Sequence, residues 1–382
     1  MIFDESLAST TFFGLALFAA VASCSREEEP RAFPAATPKI DVHTHISPSA
    51  YERALDLMDQ AGVQIAVNLS GGMPGAGLEQ SLAVQERSGK RIRVFCNLDL
   101  RGVEDPRFAG WATGILRRCK EAGALGLKIP KSLGLGVLTS EGLLAVDDPR
   151  LDPVFDEAGR LGMVVLIHVG DPEAFFEPAR PENERWEELS AHPEWSFADP
   201  RFPRWTEILD AFERRIARHP RTRFIGAHFG NAAEDPERVA RMLDRYPNYF
   251  IDTAARVPEF GRHPAPRMRR FFVRYQDRIL FGTDLGVSEG SLMLGSTDGK
   301  PVTRAAIDRF FSAHWRYFET TSRQIENPTP IQGRWRIDAI GLSTEVLRKL
   351  YWANAARLLG ITVPRYPARP TPLTRGHSEG KG

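Results

Sequence analysis

Eight short apolar runs, each rich in β-branched or aromatic residues, recur along the chain with stretches of helical periodicity between them. Most successive runs begin roughly 30 residues apart, which is the length of a βα unit, and one interval is about twice as long. Because eight such units close a parallel barrel, we predict an α/β fold of the (β/α)₈ TIM-barrel type over residues 39–361. The predicted strands begin near Lys39, Gln64, Ile92, Leu125, Val164, Arg223, Phe250 and Ile279.

Two insertions interrupt this repeat, and both leave the C-terminal ends of strands, where barrel enzymes keep their active sites. The first, residues 170–204 after strand 5, is rich in Pro, Trp and Phe. Long loops of this kind are often functional, so we interpret it as a lid. The second, residues 286–343, follows strand 8 and precedes a final helix predicted over residues 344–359.

The composition is that of a globular protein and gives no sign of a polyanionic partner. Hydrophobic residues make up 42% of the chain and charged residues 26%, which excludes disordered and fibrous classes. Lys and Arg total 50 against 49 Asp and Glu, and the net charge of +1 provides no electrostatic argument for nucleic-acid binding.

The N-terminus has the pattern of an export signal. Residues 12–22 are apolar, but too few to cross a bilayer, and they end in Val21-Ala22-Ser23-Cys24, which resembles a bacterial lipobox. We therefore predict a lipoprotein-type signal sequence over residues 1–24, lipidation of Cys24 and an exported protein whose only membrane contact is this anchor.

Two alternatives to the lipoprotein reading stay open, because Asp4 and Glu5 replace the usual positive charge of a signal sequence. They are an ordinary cleaved signal and a mis-assigned start, and the latter would leave the protein in the cytoplasm. The charged, proline-rich residues 25–38 are predicted to form a flexible tether, and residues 362–382 a polar tail that frays.

Four predicted strands end in side chains that bind divalent cations. Strand 1 ends with His43 and His45, which share one face because they stand at i and i+2, strands 5 and 6 end with His168 and His228, and strand 8 ends with Asp284. The C-terminal ends of barrel strands converge, and a buried His or Asp without a partner would cost several kcal/mol. The pattern therefore predicts a metal site at the mouth of the barrel.

The order of these motifs resembles the amidohydrolase superfamily, and more closely its amidohydrolase-related branch, which includes the aminocarboxymuconate-semialdehyde decarboxylase-like enzymes. The resemblance covers about residues 39–360, including a terminal helix similar to the family's at residues 352–359. It is carried by His43-Thr44-His45, Gly126-Leu127-Lys128, Ile167-His168, Ala227-His228 and Gly282-Thr283-Asp284.

This resemblance implies roles for the strand-end residues. His43, His45, His168 and Asp284 would hold one divalent cation, with Zn²⁺ expected and Mn²⁺, Fe²⁺ or Co²⁺ as alternatives. His228 would orient or deprotonate a metal-activated water or contact a substrate oxygen, and Asp284 would shuttle a proton.

Lys128 and several other polar residues are open to a functional or a structural interpretation. Lys128 is either a carbamylated ligand that bridges two metals, as in dinuclear members of the superfamily, or an unmodified lysine that binds substrate or pairs with an acid. Asp41 is expected to be structural or to orient a histidine. Substrate contacts and solvated loop charges are both open for Asp171, Glu173, Asp252 and Arg256, and a surface or loop position is expected for His192, His263, His314 and His377.

The resemblance implies an enzyme acting on a small molecule, in a chain that would form a homodimer as its relatives often do. The first hypothesis is a metal-dependent hydrolase that cleaves a C–N or C–O bond in an amide, lactone or ester. The alternative is a non-oxidative decarboxylase of an aromatic or unsaturated acid. The third hypothesis is a lipid-anchored binding protein that has kept the barrel and its metal ligands but has lost catalytic activity. It stays open because fold analogy alone does not prove turnover.

Overall fold

The computed structural model describes residues 37–362 of the 382-residue chain. Eight parallel strands alternate with helices, as the repeat predicts, and all eight are apolar runs buried on both faces. Strands β1–β8 are Ile40–Ile46, Ile65–Asn68, Ile92–Cys96, Gly126–Ile129, Val164–Ile167, Arg223–Gly226, Tyr249–Asp252 and Ile279–Leu280.

The sheet curls into a barrel in which each strand pairs with its neighbour along the chain, from β1 to β8. Closure is made in two parts. Residues Ile279 and Leu280 of β8 pair with β7, and the chain then continues to a short strand β9 (Leu285–Val287), which pairs in parallel with β1. Strand β10 (Leu292–Leu294) returns antiparallel to β9. The predicted TIM-barrel fold is thus confirmed.

The helices cover the outside of the strands. The larger helices, α1–α8, are Tyr51–Ala61, Leu78–Arg87, Phe108–Glu121, Asp152–Arg160, Trp205–Arg218, Pro236–Arg245, Ala265–Arg274 and Arg304–Glu319. Their apolar faces pack on the sheet in two clusters, the smaller of which joins α1 and α8 to β9 and β10. A separate cluster fills the barrel interior, where Ile40, Val67 and Leu280 meet Ala355 and Leu358 of the C-terminal helix.

The sequence has helical periodicity over residues 51–61, 205–219 and 236–246, and these stretches correspond to α1, α5 and α6. The final helix predicted over residues 344–359 is also present, but its middle turn widens into a π-helix. It runs through Thr344–Arg348, Lys349–Ala353 and Asn354–Leu359.

Both insertions are found after strands 5 and 8. The first contains short helical turns at Glu173–Phe176, Trp186–Ala191 and Pro193–Trp195, and the second contains β10, α8 and a small hairpin. Contrary to the expectation for His314, its side chain on α8 is only 1% exposed. It packs edge-on against Phe281 and Phe310 because α8 lies on the barrel rather than in solvent.

The predicted signal sequence with Cys24, most of the predicted tether and the predicted tail from residue 363 lie outside the described residues and stay predictions. Export, the lipid anchor and the homodimer also stay predictions. Among residues 37–362, no helix combines the length and the apolar character needed to cross a membrane.

Candidate metal centre

Three strand ends leave regular geometry where they carry a candidate ligand. The pairing of β1 with β2 shifts register between Asp41 and Thr44, an irregularity of the kind that re-aims side chains beside active sites. Strand β6 stops at Gly226, before the predicted strand end, and His228 has φ 56°. Asp284 has φ 63° and separates β8 from β9. Left-handed backbone at non-glycine residues costs energy and clusters at functional sites.

The five predicted side chains come together at the mouth of the barrel. Single ligand atoms of His43, His228 and Asp284 all lie within 4.8 Å of one another. Oδ1 of Asp284 is 3.5 Å from Nε2 of His43 and 3.4 Å from Nε2 of His45. The ring of His168 packs edge-on against that of His228, with centroids 4.3 Å apart. The cluster therefore joins residues from strands 1, 5, 6 and 8.

Close approach of the strands requires a glycine at one position. A Cβ at Gly282 would lie 3.0 Å from Cβ of His43 and 3.3 Å from Cβ of Ala254. Both contacts would be tighter than ordinary van der Waals distances, so Gly282 allows the end of β8 to pass directly beside His43 without displacing it.

Hydrogen bonds at the far side of each ring fix which nitrogen faces the cluster. Nδ1 of His43 lies 2.9 Å from Oδ2 of Asp252, and Nδ1 of His228 lies 2.9 Å from the carbonyl oxygen of Ala254. Because these oxygens only accept, Nδ1 carries the proton in both rings, and Nε2 keeps its lone pair. Nδ1 of His45 is held by Oγ of Ser70 at 2.7 Å.

Two carboxylates brace the backbone around the cluster. Oδ1 of Asp252 accepts from the backbone N–H groups of His228 and Ala254, at 2.8 and 3.1 Å. Asp41 accepts from the backbone N–H groups of His43 and Thr283 and from the Thr283 hydroxyl. Asp41 is thus a structural carboxylate that joins the ends of β1 and β8, and burial raises its pKa to about 7.

Burial favours the neutral form of three histidines in the cluster. It lowers the pKa of His43 and His228, and it lowers that of His168 to about 4. Burial alone would raise the pKa of Asp284, but the neighbouring His43, His45 and Lys128 outweigh it and hold that pKa well below its usual range. Neutral imidazoles beside an ionised carboxylate are the protonation states that a cation requires of its ligands.

Unpartnered buried atoms show that a cation fits this cluster. Nε2 of His43 and Nε2 of His168 are both buried and make no hydrogen bond within the described residues. Leaving such groups unpaired costs free energy, and a shared cation would remove that cost. The donor set of imidazole nitrogens and one carboxylate suits zinc and related divalent ions.

Lys128 lies on β4 beside the same cluster and is 4% exposed. Its Nζ has no hydrogen-bond partner among the described residues. Burial lowers its pKa to about 8, although the charges of Asp252 and Asp284 oppose that shift. A carbamylated and an unmodified Lys128 both remain compatible with this position.

A cavity of about 210 Å³ opens beside the cluster, with His45, His168, His228 and Asp284 in its wall. The remainder of the wall comes from the two insertions and the loops after β4 and β7. This volume is below the roughly 300–1,000 Å³ of sites for drug-sized ligands, so the cavity suits a small molecule. The other polar side chains of the wall are Lys131, Asp171, Arg185, Glu188, Arg256, Ser296 and Gln332.

Two acids left open by the sequence have defined partners. Asp171 is 5% exposed, with Oδ2 2.5 Å from Nζ of Lys131 and Oδ1 3.5 Å from Nε2 of His168. Asp252 ends β7 and orients His43. Its position at a strand end, like that of Asp284, was a signal that could have identified it. Gln332, deep in the second insertion, had no such signal.

The fold and the convergent side chains define a (β/α)₈ barrel with a candidate metal centre at its C-terminal face. Residues 40–361 match the model of the amidohydrolase family, and the chain belongs to that family. The predicted membership is thereby confirmed.

Solved structures share the fold at low sequence identity. An uncharacterised TIM-barrel protein from Bordetella bronchiseptica is 14% identical, with a TM-score of 0.50 over 85% of this chain and 98% of that one. A 2,6-dihydroxybenzoate decarboxylase, solved with 2,6-dihydroxybenzoate, is 17% identical, with a TM-score of 0.50 over 85% of this chain and 100% of that one. No curated protein matches the sequence. At these identities the likeness concerns the fold alone.

Proposed function

We propose that this protein is a metal-dependent hydrolase that cleaves a C–N or C–O bond, in an amide, lactone or ester, of a small polar substrate. The observation that carries the proposal is the pair of buried, unpartnered Nε2 atoms of His43 and His168 beside the ionised Asp284. His45 completes the expected ligand set, and His228 lies close enough to contact either the cation or the substrate.

A divalent cation held there would polarise the scissile carbonyl and lower the pKa of water, as catalytic zinc does. The chain's own residues would then move the protons. His228 would accept the proton of the attacking water at Nε2, because its Nδ1 already donates to Ala254. That proton would then pass by way of Asp284 to the leaving nitrogen or oxygen. The aromatic side chains of Phe175 and Trp195 would limit access of bulk water from the lid side.

A second candidate function is non-oxidative decarboxylation of a small acid. Two buried cations favour it, since neither Lys128 nor Arg256 has a carboxylate within ion-pair distance among residues 37–362. Such cations would suit an acidic substrate and would stabilise negative charge left after loss of carbon dioxide.

Assays of the zinc-loaded protein distinguish these functions. We expect turnover of at least one member of an amide, ester and lactone panel, loss of that turnover in Asp284→Asn, and wild-type turnover in the exposed control Asp244→Asn. Carbon dioxide release from 2,3- or 2,6-dihydroxybenzoate, without hydrolysis of the panel, would favour the decarboxylase instead. Inactivity in both assays with metal bound would contradict an enzymatic role.

A further inference from the structure

The Lys and Arg side chains in the cavity wall are paired with acids, with one exception among the described residues. Of the three Lys and Arg side chains that line it, Lys131 pairs with Asp171, and Arg185 pairs with Glu188 and Glu259. The third is Arg256, which is 5% exposed and forms no ion pair with any described residue.

The contacts of Arg256 leave N–H donors of its guanidinium group free to bind a ligand. Within residues 37–362, its side chain makes one hydrogen bond, from Nη1 to the carbonyl oxygen of Ala255, at 2.9 Å. Ala255 has φ 53°, a strained conformation for a residue with a Cβ, at the turn that directs the next side chain. The nearby acid Glu188 is already bound by Arg185 and Ser296. A buried guanidinium with free donors calls for an anion.

Gln332 is a second residue that lines the cavity, and it is 2% exposed. Its Nε2 donates to the carbonyl oxygen of Gly295 at 3.3 Å. Since a carbonyl oxygen only accepts, Oε1 is the remaining amide atom, and it is buried with no hydrogen-bond partner among the described residues. Oε1 therefore calls for a donor such as a hydroxyl or an N–H group.

We propose that Arg256 and Gln332 form the specificity subsite of this cavity, and that it selects a small carboxylate carrying a hydroxyl or N–H group beside the carboxylate. The carboxylate would face Arg256 and the donor would face Oε1 of Gln332. His228 lines the same cavity, and its pKa is lowered mainly by burial and further by neighbouring charges that include Arg256. A substrate whose carboxylate binds Arg256 would thus reach the metal centre with its other end. This approach to the metal centre rests on the proposed function, whereas carboxylate binding at Arg256 does not.

Calorimetric titration of the zinc-loaded protein with glycolate, acetate and glycolamide tests the subsite without requiring turnover. Glycolate should bind best, acetate more weakly because it lacks the hydroxyl, and glycolamide more weakly because it lacks the charge. Arg256→Gln should weaken glycolate binding roughly 10- to 100-fold, the range for loss of a charged hydrogen-bonded pair. The control Arg262→Gln removes an exposed charge that pairs with Glu184, and should bind glycolate like the wild type.

Wild-type affinity of Arg256→Gln for glycolate would overturn the proposal, since the cation itself would then hold the carboxylate. If Arg256→Gln does not fold, the same titrations of Gln332→Met test the subsite. This substitution should lower the glycolate-to-acetate affinity ratio to about one, whereas an unchanged ratio would overturn the subsite. Failure of the hydrolase assays would leave all these binding results unaffected, so the two proposals can fail separately.

Discussion

Nδ1 of His43 and Oδ2 of Asp252 are 2.9 Å apart, although 209 positions separate the two residues along the chain, and both side chains are fully buried. The contact fixes the proton on Nδ1 and directs the lone pair of Nε2 into the cluster. Carboxylates in this role hold metal-binding histidines in place and raise their basicity.

Asp252→Asn should therefore weaken metal binding while the fold is kept. The amide oxygen can still accept from the backbone N–H groups of His228 and Ala254, but the NH₂ group then faces Nδ1 of His43. That forces the proton onto Nε2, which can no longer bind a cation. We expect zinc affinity to fall roughly 10- to 100-fold in competition with a chelator. Asp244→Asn, which alters an exposed ion pair with Arg274, is the control. Equal affinity in both variants would contradict the role of Asp252.

Lys128→Met should stabilise the metal-free protein at pH 7. Burial lowers the folded pKa of Lys128 from 10.5 to about 8, so the unfolded chain binds more protons between these values. The cost of burying the charge is complete below pH 8 and disappears as pH rises toward 10.5. The variant should gain up to about 3 kcal/mol in urea unfolding at pH 7, and the gain should vanish near pH 10. Destabilisation at pH 7 would indicate that Lys128 has a compensating acid.

The number of bound ions tests the other role of Lys128. An unmodified lysine predicts about one equivalent of metal per chain by elemental analysis, and a reduced content in His45→Ala. Two equivalents, lost in Lys128→Met, would instead indicate a carbamylated lysine that bridges both ions.

His314 should make the protein sensitive to acid. Burial lowers its pKa from 6.5 to about 4, and its Nε2 has no hydrogen-bond partner among the described residues. Its contribution to stability is complete above pH 6.5 and is lost as pH falls toward 4, because the unfolded chain takes up the proton first. His314→Leu should remove about 3 kcal/mol of the pH dependence of unfolding between pH 7 and 4. Parallel stability profiles of variant and wild type would refute this.

Arg185 should hold the lid closed. It is fully buried and pairs with Glu188 of the lid and with Glu259 after β7, while Ser296 of the second insertion donates to Glu188. Arg185→Met leaves both acids uncompensated, a loss that costs roughly 3–5 kcal/mol for buried pairs. We expect lower urea stability and faster proteolysis within residues 171–204. Adding Glu188→Gln and Glu259→Gln should restore much of the loss, and failure to do so would indicate that packing alone secures the lid.

The starts of β3, β5, β6 and β8 coincide with the sequence predictions at Ile92, Val164, Arg223 and Ile279. Runs of apolar residues mark these strands clearly because both faces of each strand are buried. The strand ends at the site were less predictable, since β6 and β8 stop before His228 and Asp284. The left-handed backbone at these residues is sustained by contacts with other strands, such as the bond from His228 N–H to Asp252.

The sequence by itself determined the barrel repeat, the two insertions and the types of side chain that end strands 1, 5, 6 and 8, because periodicity and residue chemistry are local properties. Only the tertiary structure decided the partners of those side chains. It assigned Asp252 to His43 and Asp171 to Lys131. Among the described residues, it gave Arg256 no ion-pair partner and Oε1 of Gln332 no hydrogen-bond partner. Pairing and burial depend on contacts between segments that are far apart in the chain, and local sequence patterns do not predict those contacts.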